Sequence, residues 1–356
     1  MSSAQADIIA RGRNFSSATI VSPIYDAILF IAAPLLSLAV VEWLGSLPVL
    51  MERQEIAGLR STPLEFGFIV WFLAHSSAVF LRTHANPAVF RLHRFRFVGV
   101  PLAVIAGFYF SDFVLVLGLA IAGFWAMFHL GMQNFGLARL YDVRAGNDPD
   151  TGRTLDLVFV QVFTLGPFVA GTTFLPTLRS FLNFRDVGWE LPVEALLAIA
   201  PMHGQFTPWV LGAGSAFLVF YLVSWVRLAN SGYRFSAPKI ALLGTTSAVS
   251  VYACWTMPAW KAFLVMNSYH ALQYFAVLWF SEKGNLRTQL GLSDDVRGNL
   301  LSFAAAAAFV FLAGSLYRIY GYNPFELRLA GSIGLAVSLL HYWYDGFIWS
   351  ARSSFD

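Results

Sequence analysis

From Phe97 to Leu140 the chain is almost continuously apolar, broken only at Ser111-Asp112. A transmembrane helix needs about 20 apolar residues, so a run of this length reads as two spans and not one. Similar runs recur along the sequence. In lipid the backbone must satisfy its own hydrogen bonds, which a helix does within a single segment. Ten helices are expected, at 24–50, 63–82, 97–111, 112–140, 154–177, 204–228, 238–257, 259–282, 298–319 and 326–350. An eight-span arrangement follows if two of the weaker runs are re-entrant. Ten helices of about 25 residues would use roughly 250 of the 356 residues. The expectation is therefore an all-α, polytopic bundle forming one transmembrane domain over 1–356, with a polar N-terminal segment at 1–22.

Composition agrees: 57% of residues are hydrophobic and 12% charged, against about 25% charged in soluble domains. No basic block is present, so nucleic acid is not an expected partner. One cysteine, Cys254, excludes an internal disulfide framework and a Cys-based zinc site. With the N-terminus in the cytoplasm, only Arg53, Arg60, Arg179, Arg185, Lys261, Arg318 and Arg328 of the 23 Lys and Arg fall outside. That bias places both termini inside. The alanine run Ala304–Ala308 is expected to let a neighbouring helix approach closely. The polar stretch Asp142–Arg153 lacks EF-hand spacing and reads as a plain turn.

Seven histidines are present. His84, His93 and His203 fall at or beyond expected helix ends. His75, His129, His270 and His341 lie well inside apolar runs, where ionisable groups are costly and face a protein interior or a wet cavity. All four sit on even-numbered helices, which run from outside to inside. Each lies roughly 7 to 13 residues before the inner end, about 10–20 Å at helical rise, so they can share one level. Gln133 follows His129 by four residues, Gln273 follows His270 by three, and Asp345 follows His341 by four. Each polar group thus shares a helix face with its histidine. Metal-bound imidazole donates its second N–H to such a partner, and histidines on facing helices can build a metal site. A single intramembrane histidine can instead serve a helix–helix hydrogen bond. The metal candidates are His75, His129, His270 and His341, with Gln133, Gln273 and Asp345 as their supports. His84 is an alternate ligand if the chain bends back before Pro87. Such a site suits iron, copper, zinc or nickel.

At these segments the sequence resembles the Brp/Blh family of bacterial membrane enzymes, which cleave β-carotene to retinal. The second motif reads His129-Leu130-Gly131-Met132-Gln133-Asn134 and the fourth His341-Tyr342-Trp343-Tyr344-Asp345. The first keeps His75, with Val79 at the acidic position. The third keeps His270, with Tyr274 where the family has a second histidine. The resemblance implies an inner-membrane location and iron held by His75, His129 and His270. The fourth place falls to His341, Asp345 or His84.

The expected function is an integral-membrane oxygenase using non-haem Fe2+ or another transition metal. Its partners would be the bilayer, dioxygen and a lipid-soluble substrate such as a carotenoid, isoprenoid or lipid. Asp345 and Tyr274 are the candidate catalytic side chains. Two alternatives stand beside it. One is a transporter using the His/Asp group as a metal or proton pathway. The other is an assembly subunit of a pigment-bearing membrane complex.

Overall fold

The computed structural model describes residues 19–320 and 327–349. They are predominantly helical. α1 (Pro23–Asp26) runs into a π-helical turn, Ala27–Ile31, and α2 (Ala33–Gly45) follows at a bend of 52°. The short α3 (Pro48–Met51) leads to the hairpin β1 (Gln54–Ile56) and β2 (Leu59–Ser61). Then come α4 (Pro63–Thr83), α5 (Pro87–Phe110), α6 (Asp112–Arg144), α7 (Arg153–Ala170) and α8 (Phe174–Leu178). After a 3-10 segment come α9 (Leu191–Ile199), a second 3-10 segment and α10 (Phe206–Asn230). The chain closes with α11 (Ala237–Thr256), α12 (Ala259–Gln289), α13 (Val296–Tyr320) and α14 (Arg328–Ile348).

The all-α class is observed, with the small hairpin as an exception among the described residues. Its turn, Ala57-Gly58, has both residues at positive φ, the geometry of a tight two-residue hairpin. Among the described residues, five helical stretches are long and apolar enough to cross a membrane: α4, α6, α7, α13 and Leu191–Asn230; the bent α1–α2 pair makes a sixth if it is one span. The other long helices do not meet that standard of length and apolarity. α12, for example, carries Lys261, Asn267, His270, Gln273, Glu282 and Lys283 among its apolar residues. Exposed bulky apolar side chains, such as Trp209, Val219 and Phe220 on α10 and Leu300, Leu312 and Leu316 on α13, are compatible with a membrane protein. The polar segment at 1–18 and the C-terminal Arg352 lie outside the described residues.

Helix starts follow capping chemistry. Thr62 accepts the Glu65 N–H at 3.1 Å, with Pro63 in the first turn, a capping-box pattern. Ser111 caps α6 by accepting the Val114 N–H at 3.3 Å, which fixes the break expected at Ser111-Asp112. α5 starts ten residues earlier than its apolar run. Asn86 accepts from the N–H groups of Ala88 and Val89, so the arginine-rich stretch after Pro87 is helical. The helix breaks at His93, with φ −124° and ψ 24°, so this histidine sits at a kink between two helical segments.

The chain divides into two compact units, the division falling within α6 and α12. In the first (42–122 and 273–349), α13 packs on α4. A Cβ at Gly314 would lie 2.6 Å from the Val70 carbonyl oxygen, so only glycine permits this approach. Of the alanine run, Ala306 packs inward, with Val310 in the same cluster; Ala304, Ala305 and Ala308 are exposed. The close approach is therefore set one helical period at a time, not by the whole run. A second core joins α4, α5, α6 and α14 through Val79, Phe97, Leu115 and Leu340. In the second unit (19–41 and 123–272), α7 packs against α10 and α11, with Phe159, Tyr221, Trp225 and Leu243 in the core.

Candidate metal centre

His75 on α4 is 1% exposed and His341 on α14 is fully buried. Their Nε2 atoms face each other at 3.0 Å, and the rings stand nearly perpendicular. Tyr274 on α12 lies edge-on to both, its ring centroid 4.7 Å from His75 and 4.9 Å from His341. The Tyr274 hydroxyl donates to Asp345 Oδ1 at 3.2 Å, and Trp349 Nε1–H donates to the same oxygen at 3.1 Å. Asp345 Oδ2 lies 3.8 Å from His341 Nε2, outside hydrogen-bonding distance. In this geometry Asp345 holds the tyrosine and the tryptophan by hydrogen bonds.

Below this group, Arg82 pairs with Glu282 and donates to the Ile348 carbonyl. Its guanidinium also lies 4.1 Å from the Trp349 ring centroid. Asn86 and Asn285 both donate to Glu282. This pair was not read from the sequence, although Arg82 follows His75 by seven residues, two turns along one face.

In the second unit, His129 on α6 and His270 on α12 are both buried, with ring centroids 4.9 Å apart and planes at 88°. Gln133 Nε2–H donates to the His270 carbonyl oxygen at 3.0 Å. It thus fixes the backbone that carries the imidazole. Gln273 is fully buried on α12.

All four histidines are candidate metal ligands. Each pair presents two imidazoles with no thiolate, a donor set suited to a first-row transition metal. His84 stands apart at the C-cap of α4. Its Nδ1 shares a hydrogen bond with Thr83 Oγ1 at 2.9 Å, and its Nε2 meets the Phe97 carbonyl at 3.1 Å. Both ring nitrogens are thereby engaged in joining α4 to α5. Burial holds this imidazole below its ordinary pKa of 6.5. His203 Nε2 is similarly engaged by the Val169 carbonyl, at 2.7 Å.

A second buried polar cluster was also missed. Arg139 Nη1 lies 2.6 Å from Asp142 Oδ2 and 2.7 Å from Asp156 Oδ2. Lys239 Nζ reaches the same two oxygens at 2.7 and 2.6 Å. Tyr221 donates to Asp156 Oδ1 and Tyr233 to Asp142 Oδ1. Arg139 Nη2 also donates to the carbonyls of Pro149 and Thr151, wrapping the loop around it. The stretch from Asp142 is therefore more than a plain turn: Asp142 belongs to α6 and is fully buried. The signal available was Arg139 three residues before Asp142 on one helix face.

The chain matches no known family, no curated protein and no solved structure.

Proposed function

We propose that His75, His129, His270 and His341 are transition-metal ligands in an integral-membrane oxidoreductase. The favoured form is a non-haem iron oxygenase acting on a lipid-soluble substrate. The observation that carries this reading is the burial of two imidazole pairs, each ring set against another imidazole. Two neutral imidazoles can share only one proton between facing nitrogens. A shared metal ion uses their lone pairs more fully. An iron ion would supply the redox chemistry for activating dioxygen. Tyr274, fixed by Asp345, would keep the His75 and His341 rings in place, and Gln133 would fix the backbone at His270. The layout proposed with this is ten spans with both termini in the cytoplasm, the arrangement the Lys and Arg distribution supports.

The test is metal content of the detergent-purified protein beside variants with each of the four histidines changed to Ala. About one iron per chain is expected, lost in every variant while far-ultraviolet circular dichroism is unchanged. No stoichiometric metal in the wild type, or metal kept in all four variants, overturns the site.

A further inference from the structure

The start of α5 carries Arg91, Arg94 and Arg96 interleaved with Leu92 and Phe95. All five side chains are exposed, Leu92 at 68% and Phe95 at 75%. Cations alternating with exposed Leu and Phe are the composition of a helix lying at a membrane interface. The segment is held from beneath. Asn86 caps it, and at the kink the His93 ring lies edge-on to Phe97 and Phe347, at 5.8 and 4.9 Å. A Cβ at Gly99 would lie 2.8 Å from the Phe95 ring, so the glycine lets that ring lie down along the helix.

The positive charge here is uncompensated. No Asp or Glu occurs between Glu65 and Asp112. Glu282 is committed to Arg82, Asn86 and Asn285, and Asp345 to Tyr274 and Trp349. Arg91, Arg94 and Arg96 pair with no carboxylate among the described residues. Arg91 Nε donates to the Pro87 carbonyl, and the Arg96 guanidinium lies 4.9 Å from the Phe347 ring centroid. Neither contact neutralises a charge. Past the kink, Arg94, Val98 and Leu102 follow one another every four residues and share a helix face. Val98 and Leu102 are exposed as well, so the face begins with a cation and continues apolar for two turns. Charge alone would suit a nucleic acid or an acidic protein, but neither would cover the apolar part. A molecule with an anionic head and a long apolar tail matches both.

We infer that the start of α5 holds an anionic phospholipid, its phosphate at Arg94 and an acyl chain along Val98 and Leu102. Arg91 and Arg96 add to the positive potential at the headgroup. The inference goes beyond the metal centre and rests only on the chain being embedded in a bilayer. The topology proposed above sets this end of α5 on the cytoplasmic side, where anionic lipids attract basic segments.

The test uses the full chain in neutral detergent with equal amounts of phosphatidylglycerol and phosphatidylcholine of matched acyl chains. Bound lipid is counted by native mass spectrometry. The wild type is compared with Arg94→Gln and with the triple variant Arg91→Gln, Arg94→Gln, Arg96→Gln. The control is Arg53→Gln, Arg60→Gln, Arg179→Gln, three exposed arginines elsewhere whose loss lowers the net charge equally. The wild type and the control should retain phosphatidylglycerol in preference to phosphatidylcholine. Arg94→Gln should lower that preference about fivefold, the scale of one basic side chain at an anionic surface, and the triple variant further. Should the triple variant misfold, the single one carries the test. A preference unchanged in the α5 variants overturns the inference, as does one lost equally in the control or absent in the wild type. So does displacement of the lipid by an equal concentration of glycerophosphoglycerol, the headgroup without its acyl chains. None of these readouts depends on bound metal. A chain that stays dispersed without detergent would sink the membrane reading itself, whereas loss of the preference in a detergent-dependent chain sinks this inference alone.

Discussion

In the Arg139 cluster every carboxylate oxygen of Asp142 and Asp156 receives a donor, and two cations balance two anions. At His75 and His341, two groups of the same kind face each other, and the nearest carboxylate lies at 3.8 Å. Both places are buried and polar, but their chemistry differs. Opposite charges complete one another, so the first cluster is self-sufficient and acts as a clamp on α6, α7 and α11. Two imidazoles offer the same lone pairs and the same donors. Their pairing is useful chiefly to a third group that accepts electron pairs. Buried charge thus marks structure here, and the buried imidazole pair marks the candidate site.

The largest effect expected follows from breaking the clamp. Asp142→Asn leaves two buried cations with one carboxylate, and an uncompensated buried charge costs about 3–5 kcal/mol. Chemical denaturation in detergent should show that loss. Pairing the change with Lys239→Met restores charge balance and should recover a substantial part of it. A single variant as stable as the wild type would end the structural assignment of the cluster.

The histidine pair should answer the same treatment in the opposite way. His75→Leu with His341→Leu removes two polar groups that face each other at 3.0 Å. Replacing a buried polar pair by apolar groups of similar size is nearly neutral. Metal-free protein carrying both changes should therefore unfold within about 1 kcal/mol of metal-free wild type. Its metal content should nonetheless fall to background. A loss comparable to that of Asp142→Asn would show that the pair is a structural contact after all.

Much of this was legible from one-dimensional pattern. The long apolar runs locate the principal helices, and Ser111-Asp112 marks a real boundary because Ser111 supplies a cap. The four histidines stand out since apolar runs contain so little else that can bind. What escaped was chemistry that hides inside polar stretches. Arg139, Asp142, Asp156 and Lys239 look like ordinary charges at helix ends, and only tertiary packing turns them inward. The first part of α5 escaped for the related reason that Arg91, Arg94 and Arg96 mask a helix begun by Asn86. Gln133 adds a contact beyond the pattern: its spacing from His129 predicts a shared face, and one bond it makes reaches the backbone of another helix.

The smallest effect comes from a histidine that the fold itself uses. His84 differs from the buried pairs because Thr83 and the Phe97 carbonyl engage its two ring nitrogens, among the rings of Phe80, Phe90 and Phe97. Partial burial lowers its pKa below 6.5, outweighing the carbonyl that favours the charged form. The folded chain thus prefers neutral His84, and the unfolded chain takes up the proton first as pH falls. Its contribution is fully present above about pH 6.5 and is lost as pH drops through the folded value. Chemical denaturation of wild type and His84→Gln at several pH values should show a shallower decline below that point in the variant. Metal content at neutral pH should be unchanged, since this imidazole is committed to joining α4 and α5. Identical pH slopes in the two proteins would remove His84 from the stability account, and loss of metal in His84→Gln would return it to the list of ligands.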